Sequence, residues 1–212
     1  MKRNPDQPLS MGEVVEKIST AFNDDAILVT DVGQNQMFAS RYFKFSSPRS
    51  IITSGGLGTM GFGLPAAIGA KMGCPHRPVV IFCGDGGFQM TSQELGTIME
   101  YNTGVKIIIL NNNFLGNVRQ WQELFFNSRF SQTPLLNPDF IALAKAYNIE
   151  GENVANREQL EGAVQRLSSN DKPYILNVNI SPEEMVFPMI PLGAAVDEIM
   201  LNANEKLDLL HL

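Results

Sequence analysis

Short apolar segments alternate with amphipathic segments along this chain. Apolar runs that end at turn residues predict strands. The runs at 78–83 and 105–110 are continuous, which is typical of strands buried on both faces of a sheet. The predicted strands are 26–30, 51–53, 78–83, 105–110 and 174–180.

Helices are predicted where apolar residues recur at helical spacing behind capping residues. Ser10 with Glu13, and Thr91 with Glu94, have the spacing of capping boxes. Asn137 followed by Pro138 is typical of an N-cap with proline at the first helical position. We expect 127–136 to be an exposed loop, and 181 onward to be an extended arm before a short terminal helix. The predicted helices are 10–22, 34–42, 62–71, 91–101, 116–126, 137–147 and 156–167.

This alternation of strands and helices predicts the fold class, an α/β protein with a doubly wound parallel sheet in three layers. We expect an N-terminal arm or linker at 1–9, one domain at 10–180 and a C-terminal arm at 181–212. Ligands of such sheets bind outside the carboxyl ends of the strands.

Composition narrows the classes of partner. The 212 residues carry a net charge of −6, which argues against nucleic-acid binding. No apolar run is long enough to span a membrane, and the N-terminus lacks the apolar core of a signal peptide. Cys74 and Cys83 do not have metal-ligand spacing, and a reducing compartment suits them better than a disulfide framework. We expect a cytoplasmic protein.

Two strand ends carry residues suited to a metal ion. Asp85 follows the strand at 78–83, and Asn112 follows the next strand along the chain. Adjacent parallel strands would bring both side chains to one edge of the sheet, where a carboxylate and an amide oxygen suit Mg²⁺. Gly84, Gly86 and Gly87 would let backbone N–H groups approach a phosphate. Either motif alone is also a common turn, but their combination across about 24 residues is more specific.

This combination resembles the diphosphate motif of thiamine-diphosphate enzymes. The runs SGGLGTMGFGLPAAIGA at 54–70, NVRQWQELF at 117–125 and LNPDF at 136–140 resemble the C-terminal domain of the acetohydroxyacid synthase (acetolactate synthase) catalytic subunit. The likeness covers about 9–199. It implies the thiamine-diphosphate-binding fold, with thiamine diphosphate and Mg²⁺ as cofactors.

The resemblance also implies roles for individual residues. The metal ligands would be Asp85, Asn112 and the backbone carbonyl of Phe114. Met60 would hold the cofactor in a bent shape, the Gly58 carbonyl would accept a hydrogen bond from its aminopyrimidine, and Trp121 would line the substrate channel. The loop at 132–137 and the arm at 185–196 would close over the site. The cofactor-binding residues would be Gln34, Asn35, Gly58, Met60, Gly84, Asp85, Gly86, Gly87, Asn112, Phe114, Gly116 and Asn117.

Three positions depart from the family pattern. The family commonly has His in place of Asn35 and Met in place of Asn117, and the arm at 191–195 usually contains more glycine. The first departure puts one diphosphate contact in doubt, and the second changes the polarity near the cofactor. None of the three involves a predicted metal ligand.

The implied reaction condenses pyruvate with pyruvate or 2-oxobutyrate, with loss of CO₂, in branched-chain amino acid biosynthesis. In this family a pyrimidine-binding domain supplies an activating glutamate from a neighbouring subunit, and a middle domain holds FAD. This chain is too short to include either, so we expect an excised domain or a separate subunit that is inactive alone. Homo-oligomers and a regulatory subunit are further expected partners.

Two alternatives stay open at this point. One is a subunit of another thiamine-diphosphate-dependent 2-oxoacid decarboxylase, of the sulfopyruvate or phosphonopyruvate type. The other is a non-catalytic binding or assembly module, in which case Asp85 would be dispensable for cofactor binding.

Overall fold

The computed structural model describes residues 8–191 and 193–204. In that part of the chain, six strands form one parallel sheet in the order β2-β1-β3-β4-β6-β5. Every pair of neighbouring strands is parallel, so successive strands are joined by crossover connections, as the alternating pattern predicted. The strands are β1 (Ile27–Thr30), β2 (Ile51–Ile52), β3 (Val79–Gly84), β4 (Val105–Asn111), β5 (Glu150–Val154) and β6 (Tyr174–Asn179).

The helices cover both faces of this sheet. They are α1 (Met11–Ala21), α2 (Gln34–Tyr42), α3 (Gly63–Gly73), α4 (Asp85–Met90), α5 (Leu95–Tyr101), α6 (Gly116–Phe125), α7 (Phe140–Ala146) and α8 (Arg157–Ser168), with a 3₁₀ turn at Ser92–Glu94.

Two separate hydrophobic clusters establish the three layers. Successive residues of a strand point to opposite faces, so Phe82 of β3 packs in the cluster under α1, α2 and α8. Its neighbour Ile81 packs in the other cluster, under α3, α5 and α7. The predicted fold class, a doubly wound parallel sheet, is confirmed.

The prediction that Asn137 caps a helix is wrong. Helix α7 begins three residues later, and its N-cap is Asp139, whose carboxylate accepts from the backbone N–H groups of Ile141 and Ala142. The Asn137 side-chain oxygen, which would have to accept from the helix, accepts from the Gln89 side chain at 2.8 Å instead.

The capping box predicted at Thr91 is also wrong. The Thr91 hydroxyl donates to the backbone carbonyl of Gly61 and makes no capping hydrogen bond. The predicted helix at 91–101 is therefore a 3₁₀ turn followed by the shorter α5.

Two elements were missed by the sequence reasoning. The strand β5 has the polar sequence EGENV and pairs with β6 alone, at the edge of the sheet. The helix α4 begins at Asp85 within the glycine-rich segment, where no helix was predicted. Both elements depend on tertiary neighbours more than on local pattern, because glycine and alternating polar residues favour neither state.

The described parts of the two predicted arms pack against the domain. Leu9 and Val186 are both buried in the cluster under α1, α2 and α8. Met189 and Met200 form an isolated antiparallel bridge within the C-terminal segment. The predicted short terminal helix and residues 1–7 lie outside the described residues. Among the residues described, none of the helices has the length and apolar character needed to cross a bilayer.

Candidate functional site

A cleft opens at the carboxyl edge of the sheet, where β1, β3 and β4 end. Helices α2, α4 and α6 begin beside it, and the turn before α3 forms another wall. The residues that line the cleft are Met11, Val32, Gly33, Gln34, Asn35, Met60, Gly84, Asp85, Gly86, Gly87, Leu110, Asn112, Phe114, Leu115 and Gly116.

Most of the residues predicted for the site come together here, and three do not line the cleft. Gly58 lies in an exposed turn with a φ of 61°. Asn117 and Trp121 lie on α6, and Trp121 is 47% exposed. The predicted residues that line the cleft are Gln34, Asn35, Met60, Gly84, Asp85, Gly86, Gly87, Asn112, Phe114 and Gly116.

Asp85 is the carboxylate of the cleft, and it is 1% exposed. Its strand β3 pairs with β4 in parallel, Gly84 opposite Leu110, so the two strand ends that lead to Asp85 and Asn112 are neighbours. Burial raises the pKa of the Asp85 carboxyl, and the hydrogen bond from Asn137, at 2.7 Å, opposes that rise. A buried carboxylate without a cation beside it is a position where a metal ion would restore charge balance.

Asn112 is the second predicted metal ligand, and it is 4% exposed. Its side-chain oxygen accepts from the backbone N–H of Phe114 at 3.1 Å, and its nitrogen donates to the Gln34 side chain at 3.4 Å. No group of three or more His, Cys, Asp or Glu residues suited to a metal occurs in the described part of the chain. A cation in this cleft would therefore have one carboxylate, with amide and carbonyl oxygens, which are hard ligands suited to Mg²⁺.

Backbone donors at helix starts give the cleft an anion-binding character. The N-caps of α2 and α6, Gly33 and Leu115, make no side-chain capping hydrogen bond. The N–H groups of the first turn of a helix have no partner within the helix and bind anions well.

Two glycines of the cleft allow close packing that a side chain would prevent. A Cβ on Gly87 would lie 2.8 Å from a carboxylate oxygen of Asp31. A Cβ on Gly116 would overlap the Gln34 side-chain oxygen and would come within 2.9 Å of the Asn112 side chain. These close approaches explain why glycine occupies positions beside the predicted metal ligands.

Asn35 contributes an unpaired acceptor. It is 4% exposed, and its nitrogen donates to the Val32 carbonyl at 3.2 Å. Its side-chain oxygen is buried and has no hydrogen-bond partner. An unpaired buried polar atom costs free energy, so a ligand that completes its hydrogen bonding would be favoured here.

Asp31 is a further residue of this region, and the sequence reasoning missed its role. Its carboxylate is 1% exposed and accepts from the backbone N–H groups of Val32, at 2.6 Å, and Gly61, at 3.0 and 3.1 Å. Burial raises its pKa, and these N–H groups oppose the rise. Asp31 thus fixes the turn from which Met60 reaches the cleft. Its position directly after a buried strand, as at Asp85, was the available signal.

Gln120 is a second missed residue. Its side-chain oxygen accepts from Gln34 at 3.0 Å and from the backbone N–H of Val186 at 2.9 Å. Gln34 also donates to the Glu184 carbonyl at 2.9 Å. These contacts attach the C-terminal segment to the wall of the cleft. The sequence carried no local signal for them, because they join residues far apart in the chain.

Comparison with known proteins gives the class first. Residues 31–178 match the family described as "Thiamine pyrophosphate enzyme, C-terminal TPP binding domain". The chain belongs to this family of cofactor-binding domains, as its fold and the residues of its cleft had indicated. Thiamine pyrophosphate is another name for thiamine diphosphate.

Its relatives narrow the comparison. The chain is 45% identical, over 188 residues, to the acetolactate synthase isozyme 2 large subunit of Escherichia coli (strain K12). The matched region covers 88% of this chain and 34% of that protein. It is 44% identical, over 201 residues, to the acetolactate synthase large subunit of Lactococcus lactis, and this match covers 92% of the chain and 35% of the relative. A mitochondrial acetolactate synthase catalytic subunit of Saccharomyces cerevisiae is 41% identical over 203 residues, and the match covers 94% of this chain and 30% of that protein. The chain spans about a third of the length of these relatives.

Proposed function

We propose that this chain is the C-terminal cofactor-binding domain of an acetolactate synthase catalytic subunit. The reaction would condense pyruvate with pyruvate or 2-oxobutyrate, with loss of CO₂, as a step of branched-chain amino acid biosynthesis. The observation that carries the proposal is the placing of Asp85 and Asn112 in one cleft, at the ends of two adjacent parallel strands. The similarity to acetolactate synthase large subunits supports it.

The residues of the cleft fit Mg²⁺ and the diphosphate of thiamine diphosphate. Asp85, Asn112 and the carbonyl of Phe114 would hold Mg²⁺, because all three residues line the cleft and offer oxygen ligands. Gly86 and Gly87 follow Asp85 directly, and their backbone N–H groups would bind phosphate oxygens. The unpaired oxygen of Asn35 marks a place where a ligand would complete the hydrogen bonding.

The protein's part in the reaction is to bind and orient its cofactor. Thiamine diphosphate supplies the carbon that adds to the keto group of a 2-oxoacid, so the hard chemistry belongs to the cofactor. Met60 lines the cleft and would support the bent shape of the cofactor from below. The Gly58 carbonyl would accept a hydrogen bond from the aminopyrimidine, and Trp121 would line the approach of the substrate. Gln34, Gly84, Gly116 and Asn117 would complete the binding surface.

Other domains would complete the site. The chain spans about a third of its relatives, some of which are described as large or catalytic subunits. We infer that a pyrimidine-binding domain and an FAD-holding domain, on the same or a neighbouring chain, are required partners. We propose further that the complete protein is a cytoplasmic homo-oligomer and that it binds a regulatory subunit.

A chimera tests the proposed reaction. This chain would replace the matching third of the Escherichia coli isozyme 2 large subunit, and the products formed from pyruvate would be identified. Acetolactate is the expected product. Release of CO₂ with no acetolactate would contradict the proposal and favour a simple 2-oxoacid decarboxylase, and a folded chimera with neither product would contradict both.

A further inference from the structure

The loop before α7 reaches into the carboxyl edge of the sheet through one side chain. Asn137 Nδ2 lies 2.7 Å from Oδ2 of Asp85, 3.0 Å from Oδ1 of Asn111 and 3.0 Å from Oδ1 of Asn113. An amide nitrogen has two protons. Three oxygens from the ends of two strands therefore converge on a donor that can satisfy two of them fully.

The orientation of the Asn137 amide is set by Asp85, because an ionised carboxylate can only accept hydrogen bonds. The nitrogen of Asn137 therefore faces Asp85, and its oxygen accepts from Nε2 of Gln89 of α4 at 2.8 Å. An exchange of the two ends would set an oxygen against the Asp85 carboxylate and a nitrogen against the Gln89 donor, and both hydrogen bonds would be lost.

This contact is one link in a chain of side-chain amides that crosses the sheet edge. Asn111 of β4 accepts from Asn137 and donates from Nδ2 to Asn177 of β6 at 3.1 Å. Asn177 in turn donates to the Asn153 oxygen of β5 at 2.8 Å. In this row of side chains each amide accepts from the previous one and donates to the next, an arrangement in which each hydrogen bond polarises its neighbour.

We propose that Asn137 is a positioning residue for the metal site: by donating to Oδ2 of Asp85, it fixes the orientation in which this carboxylate meets the cation. The inference rests on the proposed function, because it requires a cation between Asp85 and the cofactor. Partners behind a metal ligand fix its orientation, and their removal typically weakens metal binding about 10- to 100-fold. The loop that carries Asn137 is thereby coupled to the metal site.

The test measures Mn²⁺ affinity in the chimera, with thiamine diphosphate present, by the electron paramagnetic resonance signal of free Mn²⁺. Asn137→Leu keeps the size of the side chain and removes its hydrogen bonds. We expect its dissociation constant for Mn²⁺ to rise about 10- to 100-fold. Acetolactate formation should return to the unsubstituted rate at saturating Mn²⁺, a separation of affinity from turnover that a general loss of structure would not give.

Asn156→Ala is the matched control. Asn156 caps α8, far from the cleft in the chain, and its loss should lower the melting temperature without changing Mn²⁺ affinity. If Asn137→Leu fails to fold, Asn137→Ser replaces it with the same expected weakening, because the shorter hydroxyl cannot reach Asp85 and Gln89 together.

The outcomes distinguish this inference from the proposed function. Tight Mn²⁺ binding by the unsubstituted chimera, with weakened binding by the Asn137 variant, supports both. Tight binding by both proteins overturns the positioning role of Asn137 and leaves the proposed function standing. Failure of the unsubstituted chimera to bind Mn²⁺ in the presence of thiamine diphosphate overturns both.

Discussion

At the scale of single residues, the cleft combines a buried negative charge with an unpaired polar atom, the side-chain oxygen of Asn35. Asp85 and Asp31 are each 1% exposed, yet they differ in surroundings. Asp31 accepts from the backbone N–H groups of Val32 and Gly61, which makes it part of the scaffold. Asp85 lines the cleft, as a metal ligand must, and accepts a side-chain hydrogen bond from Asn137 at 2.7 Å.

Met60 provides a prediction at this scale. Its Cε lies 3.7 Å from the position that a Cβ on Gly86 would occupy, so the side chain reaches across the cleft floor. We expect Met60→Ala in the chimera to reduce acetolactate formation by about 10-fold or more, because the cofactor loses the support that holds its reacting groups in place. The melting temperature should change little, since Met60 is only partly buried.

Met72→Ala is the matched control for that prediction. Met72 lies on α3 and is 51% exposed. Its loss should leave the rate unchanged. Equal rates for Met60→Ala and Met72→Ala would contradict the proposed role of Met60.

At the scale of elements, α4 approaches the end of β1 so closely that only glycine fits between them. Gly87 of α4 lies against Asp31, which directly follows β1. A Cβ added to Gly87 would lie 2.8 Å from a carboxylate oxygen of Asp31. Gly87→Ala should therefore destabilise the fold by about 1–3 kcal/mol, the usual cost of overpacking. Denaturant unfolding measures this change in the free energy of unfolding.

Gly69→Ala is the control for the same chemical change. Gly69 lies within α3, and its Cβ would meet nothing within 4 Å. Alanine is the better helix former, so this variant should gain about 1 kcal/mol. A destabilisation at Gly69 equal to that at Gly87 would show that the contact with Asp31 is not the cause.

The attachment of the C-terminal segment to α1 should depend on pH. The Glu184 carboxylate accepts from the backbone N–H of Met11 at 2.8 Å. Burial raises the pKa of Glu184 to about 7, with a smaller rise from Glu13, while Met11 and Ser10 oppose the rise. Because the folded protein holds the Glu184 proton more tightly than the unfolded chain does, protonated Glu184 stabilises the fold. This stabilisation is fully present below the unfolded pKa and is lost as the pH rises through about 7.

Glu184→Gln should remove this part of the pH dependence. Between about pH 5 and about pH 8, the melting temperature of the unsubstituted chain should fall relative to that of the variant. The glutamine side chain keeps an oxygen for the Met11 N–H, so the contact itself is preserved. Parallel curves for the two proteins would contradict the assignment of this pH dependence to Glu184.

The elements also show what sequence reasoning could reach. The apolar runs that became β3 and β4 were predicted to within about a residue, because strands buried on both faces leave a local signature. β5 left none, since its polar sequence is ordered by pairing with β6. The pair Asp85 and Asn112 followed from strand-end positions, whereas Asn137 and Gln120 act through contacts between distant segments that no local pattern encodes.

At the scale of the whole molecule, apolar side chains beside the cleft are strongly exposed. Leu57 is 94% exposed and lies three residues before Met60, and Leu136 is 98% exposed and directly precedes Asn137. Exposed apolar residues beside a polar site are typical of surfaces that contact another protein or domain. They support the proposal that the pyrimidine-binding domain covers this side of the cleft.

The purified chain should therefore form no acetolactate from pyruvate when Mg²⁺ and thiamine diphosphate are supplied. Adding the missing domains as a separate polypeptide should restore the product, because they provide the rest of the cofactor's surroundings. A colorimetric assay of acetolactate measures both results. Activity of the chain alone would contradict the requirement for a partner.

The central claim is that Asp85 and Asn112 together hold a divalent cation that anchors the diphosphate. Mn²⁺ binding by the chimera in the presence of thiamine diphosphate, measured for the unsubstituted protein and for Asp85→Asn and Asn112→Leu, tests it most directly. Both variants should lose at least about 100-fold in affinity while remaining folded. Mn²⁺ affinity that is unchanged in either folded variant would contradict the claim.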